Sequence, residues 1–266
     1  MKVHFAKLSA TGNDFILFDH VASPAKDYDQ TFLEHLCHRQ KGVGADGILI
    51  LEPSEKTDFR MRYFNADGAE AEMCGNGARA SAWFAVHNKL APENCRFEVC
   101  DDVYEASVAG DVVSLLMHKP KKTTILPGAL EHSDFEEGGF CWVGVPHYVI
   151  FSQNLAAVNV EKIGKHYCKH AFFAPHGTNV NFIEIVDERT LKIRTYERGV
   201  NAETLACGTG AVASAYISAE CKKVEFPVML YPPGGELVIS IDAETDRPRL
   251  QGTVSQPFTG EAFANF

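Results

Sequence analysis

Glu72-Met73-Cys74-Gly75-Asn76-Gly77-Ala78-Arg79 is the stretch on which the fold turns, because it returns 133 residues later as Cys207-Gly208-Thr209-Gly210-Ala211. The match runs on outside the glycines. Tyr63 falls on Tyr196, Ala69 on Ala202 and Glu70 on Glu203; beyond the turn, Ala80-Ser81-Ala82 falls on Ala213-Ser214-Ala215 and Trp83 on Tyr216. Self-similarity at a fixed offset is the trace of a duplicated unit. Each unit reads as alternating strands, a glycine-rich turn carrying a cysteine, then a helix of small residues. Two similar units often pack about a pseudo-two-fold axis, and the two cysteine turns would then face one another across a cleft.

Outward from these turns, hydrophobic periodicity predicts strands over 2–8, 15–18, 48–51, 59–64, 96–100, 103–108 and 112–118 in the first half. In the second half it predicts strands over 123–127, 140–143, 147–151, 179–186, 190–196, 224–231, 236–241 and 249–256. Helices are expected over 29–39, 78–88, 161–171 and 211–221. Lys119-Pro120-Lys121-Lys122 interrupts the pattern and marks the boundary between an N-terminal domain, 1–119 with Cys74, and a C-terminal domain, 120–253 with Cys207. The last strand, 254–266, is a candidate to return to the first domain.

The composition narrows the function classes. Of 266 residues, 45% are apolar and 23% charged, as in an ordinary globular chain, and no apolar run reaches the eighteen residues that a membrane span needs. Met1-Lys2-Val3-His4-Phe5 reads as the approach to a strand, so no export signal is expected there. A formal charge of −10, with 25 basic against 35 acidic residues, makes nucleic acid a poor partner. Eight cysteines without a CxxC pair fit a reduced, cytoplasmic chain in which most thiols are small core residues.

Cys74 and Cys207 depart from that pattern. Each precedes a Gly-x-Gly turn that opens a helix, where free N–H groups and the helix dipole favour an anion. A thiolate there is reactive, and the same amides suit a carboxylate. Two such thiols on opposite faces of an α-carbon suit inversion of an amino acid: one abstracts the proton, the other donates one. The anion-binding turns would stabilise the charge that develops on the α-carboxylate. This chemistry calls for no cofactor and no metal. Two buried thiols, or a disulfide, are the simpler roles for the pair.

The polar residues around these turns each admit a plain structural role. Asn13 and Asn65 sit where turns form. His147 follows Pro146 as a loop residue, Glu197-Arg198 reads as a solvent pair, and Arg79 as a structural cross-link. Asp14, Asp46 and Asp67 adjoin glycine or asparagine and are expected to fix turns.

Thr11-Gly12-Asn13-Asp14-Phe15, Gly42-Val43-Gly44-Ala45-Asp46-Gly47, Asn65-Ala66-Asp67-Gly68 and the Cys74 segment resemble successive motifs of the diaminopimelate epimerase family. So do Pro146-His147, Gly177-Thr178-Asn179-Val180-Asn181-Phe182, Tyr196-Glu197-Arg198-Gly199 and Ala206-Cys207-Gly208-Thr209-Gly210. The resemblance spans nearly the whole chain. It implies a mixed α+β (α/β) fold of two similar domains, each a β-barrel-like sheet wrapped around a central helix. It implies interconversion of LL- and meso-diaminopimelate, with Cys74 and Cys207 as the acid/base pair and His147 and Glu197 helping to move protons. Backbone amides at Gly75, Asn76, Gly208 and Thr209 would hold the reacting carboxylate; Asn13, Asn65, Asn179 and Arg198 would contact the substrate. No cofactor is implied, and a homodimer is the family expectation.

Three positions depart from the family pattern. Val145 stands where asparagine is common before Pro-His, which leaves substrate range open and keeps a broader amino-acid racemase as the alternative. Ala80 stands where cysteine is frequent. The link Val200-Asn201-Ala202-Glu203-Thr204 is one residue longer than usual, which bears on the placement of Glu197. From other classes, an amino-acid-binding protein would carry two reactive thiols as an oxidation liability, and a thiol–disulfide oxidoreductase would need a CxxC.

Overall fold

A computed structural model of the chain describes residues 2–23, 28–126, 130 and 137–263. The chain divides into two compact units, Met1–Leu115 with Gly252–Phe266, and Leu116–Gln251. The linker that follows Leu115 is bonded into the second unit. Met117 N–H donates to the Pro248 carbonyl (2.8 Å), and the Met117 carbonyl accepts from Arg247 Nε (3.0 Å).

In the first unit, β1 (Lys2–Ala10) and β2 (Asn13–Asp19) form an antiparallel hairpin. α1 (Gln30–Cys37) carries the chain to β3 (Gly47–Glu52), parallel to β2. β4 (Phe59–Asn65) runs antiparallel to β3 and to the two-residue β5 (Glu70–Ala71). α2 (Gly75–His87) follows, then β6 (Asn94–Val99) parallel to β4, β7 (Asp102–Ala109) antiparallel to β6, and β8 (Val112–Leu116).

The second unit repeats this order of pairings. β9 (Lys121–Leu126) and β10 (Gly138–Val143) are antiparallel, and β10 turns through Gly144 into β11 (Val145–Phe151). α3 (Val160–Cys168) crosses over to β12 (Asn179–Asp187), parallel to β11. β13 (Thr190–Glu197) pairs with β12 and with the short β14 (Ala202–Thr204). α4 (Gly208–Glu220) leads to β15 (Val228–Tyr231), parallel to β13, and to β16 (Leu237–Ile241), antiparallel to β15. The sixteen-residue β17 (Pro248–Phe263) pairs with β16 at its start and with β1 from Val254 onward. Residues 264–266 of the expected last strand, and residue 127 of another, lie outside the described residues. The fold class is mixed α/β.

Burial explains which helices sit where. α2 and α4 have no polar stripe: Gly75 through Ala85 are buried without interruption, and so is α4 apart from a few positions. A helix apolar on all sides belongs in a core. α2 packs against β1, β2, β3, β4 and β7; α4 packs against β9 to β13 and β16. Their alanines and serines let strands approach closely, while Trp83, Phe84 and Ile217 fill the space between, each such side chain contributing about 1.5–3 kcal/mol on burial. α1 and α3 bury one face only, Phe32, Leu33, Leu36 and Cys37 in the first, Val160, Gly164, Tyr167 and Cys168 in the second. Their N-caps are Asp29, accepting from Phe32 N–H at 2.8 Å, and Asn159, accepting from Lys162 N–H at 3.0 Å, each worth about 1 kcal/mol.

The structure differs from the expected elements in several places; the helix expected over 161–171 ends at Cys168, and the strand expected over 249–256 continues to Phe263. The two core helices begin at Gly75 and Gly208, ahead of the expected 78 and 211, because each cysteine is itself the N-cap. The strand expected over 224–231 begins at Val228, since Pro227 has no N–H to give a ladder. The short β5 and β14 fall below what periodicity resolves. Among the described residues, no helix is long and apolar enough to cross a membrane.

Candidate active site

In the first unit, Cys74 has extended backbone (φ −133°, ψ 114°) and its sulfur accepts the Gly77 N–H at 3.4 Å. The Cys74 carbonyl accepts the first helical bond, from Ala78 N–H at 2.8 Å. The amides of Gly75 and Asn76 lie in the first turn of α2, with no carbonyl one turn earlier to satisfy them. The turn therefore concentrates N–H groups and the positive end of the helix around a thiol sulfur.

Asn76 is buried, and its side chain belongs to a chain of hydrogen bonds with one polarity. Its Oδ1 accepts from Arg79 Nη2 (2.5 Å), and its Nδ2 donates to Asn13 Oδ1 (2.6 Å). Asn13 Nδ2 then donates to Asp46 Oδ2 (2.9 Å). Asp46 and Asp14 share Arg39, and Lys7, buried beneath them, pairs with Asp14 at 2.6 Å and donates to the Gly44 carbonyl. Burial alone would raise the Asp14 carboxyl; hydrogen bonds from Arg39 and Lys7 outweigh it and hold the pKa at about 2. Asp14 and Asp46 thus tie together the two loops beside Asn13, each accepting the other's backbone N–H (3.2–3.3 Å) rather than closing a local turn as expected. Asp67 closes an Asx turn onto Ala69 N–H at 3.0 Å.

Arg79 is fully buried. One nitrogen bonds Asn76 and Thr11 (3.1 Å), while Nε and Nη1 have no hydrogen-bond partner among the described residues. Burial lowers its pKa to about 10, and the charge of Cys74 acts to raise it. At neutral pH it is a buried cation within electrostatic reach of Cys74.

In the second unit, Cys207 repeats the cap: φ −122°, ψ 111°, with the sulfur accepting Gly210 N–H at 3.4 Å. Thr209 Oγ1 lies 3.5 Å from the same sulfur. Gly210 has no room for a side chain, because a Cβ there would overlap Asn181 Oδ1. Asn181 is fully buried; its Nδ2 bonds His147 Nδ1 (3.1 Å) and the Tyr148 carbonyl (3.3 Å), and its Oδ1 accepts from Thr195 Oγ1 (3.1 Å). His147, on β11, is fully buried, and its Nε2 has no hydrogen-bond partner among the described residues. Burial pushes its pKa down to about 3, helped by the positive charge of Arg198. It is a neutral imidazole inside a strand, not a loop residue.

Asn179 pairs with His147 across the parallel β11–β12 ladder, and its Oδ1 accepts the Arg198 N–H at 2.8 Å. Arg198 is exposed and donates through Nη1 to the His176 carbonyl at 2.6 Å. Glu197 closes β13 and accepts from Thr204 Oγ1 at 2.6 Å. The long link after it is taken up by a turn in which Asn201, at φ 56°, donates to the Glu197 carbonyl. Asn65 is exposed at the β4–β5 turn, where its carbonyl accepts Gly68 N–H. Val145 opens β11 opposite Val143.

The first unit thus joins Asn13, Asn76 and Arg79 behind Cys74; the second joins His147, Asn181 and Thr195 behind Cys207. Sequence reasoning passed over Asn181 and Thr195 and took Arg79 as a cross-link alone. A signal for Asn181 was present: an amide in the middle of the apolar run Val180-Asn181-Phe182. A 410 Å³ cavity beside β1 and β17, lined by His4, Phe84, Asn88 and Glu261 among others, holds none of these residues.

The family model for diaminopimelate epimerase matches residues 5–123 and 140–256. A diaminopimelate epimerase from Aquifex aeolicus is 38% identical over 97% of this chain and 97% of its own. One from Campylobacter jejuni is 41% identical, covering 88% and 89% of the two chains. A solved Bacillus anthracis phenazine biosynthesis protein of the PhzF family covers 99% of both chains with a TM-score of 0.77 at 16% identity, a likeness of fold. With both cysteine caps inside the matched segments and full-length relatives well above the level of chance, the chain belongs to the diaminopimelate epimerase family.

Proposed function

We propose that this enzyme interconverts LL- and meso-diaminopimelate by transferring protons at the α-carbon between Cys74 and Cys207, without a cofactor. The observation that carries the reading is the duplicated cap: two cysteines, each at the N-terminus of a buried helix, in a chain of this family. The chemistry requires a thiolate on one face of the α-carbon and a thiol on the other. The N-terminal amides of Gly75, Asn76, Gly208 and Thr209 are suited to the reacting carboxylate, whose charge grows as the α-proton leaves. His147 and Glu197 assist proton movement at the thiols. Asn13, Asn65, Asn179 and Arg198 take the distal amino and carboxylate groups, Arg198 by bidentate pairing. The reading includes two similar barrel-around-helix domains, 1–119 and 120–253, related by a pseudo-two-fold axis, with the last strand returning to the first. It also includes a cytoplasmic homodimer.

Reduced protein is incubated with LL-diaminopimelate in heavy water, and meso product and α-deuterium are followed together. Deuterium at the inverted centre, lost in Cys74→Ala and Cys207→Ala, supports the reading. Folded, reduced protein that yields neither product nor exchange sinks the substrate assignment. Val145, where an amide is common in the family, favours a second reading as a racemase of broader range. Inversion of other amino acids at comparable kcat/KM in the same assay would support it.

A further inference from the structure

The hydrogen bonds around Asn181 carry more than support. Its Nδ2 lies against a backbone carbonyl, that of Tyr148, at 3.3 Å. A carbonyl only accepts, so this atom is the NH2 and the amide cannot be flipped. Thr195 Oγ1 on Oδ1 fits the same orientation. The other Nδ2 hydrogen then points at His147 Nδ1, 3.1 Å away, and that nitrogen must be the acceptor. A neutral imidazole has one donor and one acceptor nitrogen. The proton therefore sits on Nε2.

We propose that Asn181 is a positioning residue that locks His147 as the Nε2–H tautomer, so that His147 offers its site an N–H donor and no free lone pair. The inference rests on the proposed place of His147 beside the reacting thiols. In this state the ring can donate a hydrogen bond from Nε2 to a thiolate or a carboxylate but cannot accept a proton there; a second proton could enter only at Nδ1, at the cost of the Asn181 hydrogen bond and of a cation in a fully buried position. The base for the α-proton is then the thiolate itself. Asn181 also abuts Gly210 in the Cys207 turn, so one amide sets both the ring and the space behind the cap.

The test is the imidazole 15N spectrum of histidine-labelled protein at neutral pH, with His147→Gln used to assign the signal among eleven histidines. The expected result is a protonated Nε2 and an unprotonated Nδ1 in the wild type. In Asn181→Asp, a carboxylate at the same place should move the proton to Nδ1 and lower kcat by about tenfold or more with KM little changed. Thr195→Val keeps the Tyr148 contact and should keep the tautomer. A wild-type ring protonated on Nδ1 overturns the inference, and that spectrum needs no variant to fold. The heavy-water assay separates the two ideas. Exchange with an Nδ1–H ring removes this inference alone; an Nε2–H ring in protein inert toward diaminopimelate leaves it standing while the reaction assignment falls.

Discussion

The two cysteine turns share a backbone and differ in what surrounds it. Cys74 and Cys207 have nearly the same dihedrals and the same 3.4 Å bond from the amide three residues on. Five residues past Cys74 stands buried Arg79; at the repeat position stands buried Val212. Gly77 faces the flexible end of Leu49, whereas Gly210 faces the fully bonded amide of Asn181. The cysteine cap is present twice, and the first copy has a buried cation beside it, the second a neutral polar cluster. In the proposed reaction the two thiols hold opposite protonation states at one moment, and such unequal settings suit that need.

The largest test of this comparison is removal of either sulfur. Cys74→Ala and Cys207→Ala should each lower kcat/KM for epimerisation by about 10³-fold or more, measured by deuterium incorporation. An active single mutant would break the assignment of equal necessity. The glycines sharpen the contrast. Gly210→Ala should cost about 2–3 kcal/mol in urea unfolding, because Asn181 is held from three sides and cannot yield. Gly77→Ala, 3.0 Å from the movable Leu49 Cδ2, should cost about 1 kcal/mol or less. Equal losses would show that the two turns are packed alike.

His147 supplies the next contrast, since the first unit has no buried histidine behind its cap. Its pKa falls from the ordinary 6.5 to about 3 on burial. Between those values the unfolded chain binds a proton that the native protein does not. Stability present above pH 6.5 is therefore lost as pH falls, at about 1.4 kcal/mol per pH unit, until about pH 3. Urea midpoints measured from pH 7 to pH 4 should show this slope and a shallower one in His147→Gln. Parallel curves would mean that His147 is already solvated in the native state. Smallest is the reactivity of the thiols. Arg79→Met should slow alkylation of Cys74 by about tenfold or less while leaving Cys207 unchanged, read by mass spectrometry at limiting reagent. Equal slowing of both would place the Arg79 effect in general stability.

Much of this was legible in the chain. The repeat located both cysteines at equivalent places, and small-residue helices behind them announced burial, because alanine and glycine leave no polar face to wet. Asp67 was readable as a turn residue, since its carboxylate accepts the Ala69 N–H two residues on; Asp14 and Asp46 instead accept each other's backbone N–H across 32 residues, a pairing that their local surroundings do not announce. The helix starts were read three residues late because a sulfur acceptor is not a familiar cap.

Sequence alone determined where most strands lie, the duplicated cysteine turns and the family, because these depend on local periodicity and on motifs whose spacing is written in the chain. Tertiary structure decided which partners each site residue meets. Arg79 lies three residues from Asn76, yet its link through Asn76 and Asn13 to Asp46 joins three separate segments. Asn181 reaches His147 from 34 residues away and Thr195 from 14. No local pattern encodes such pairings, because a buried amide or guanidinium is oriented only by donors and acceptors that folding brings to it.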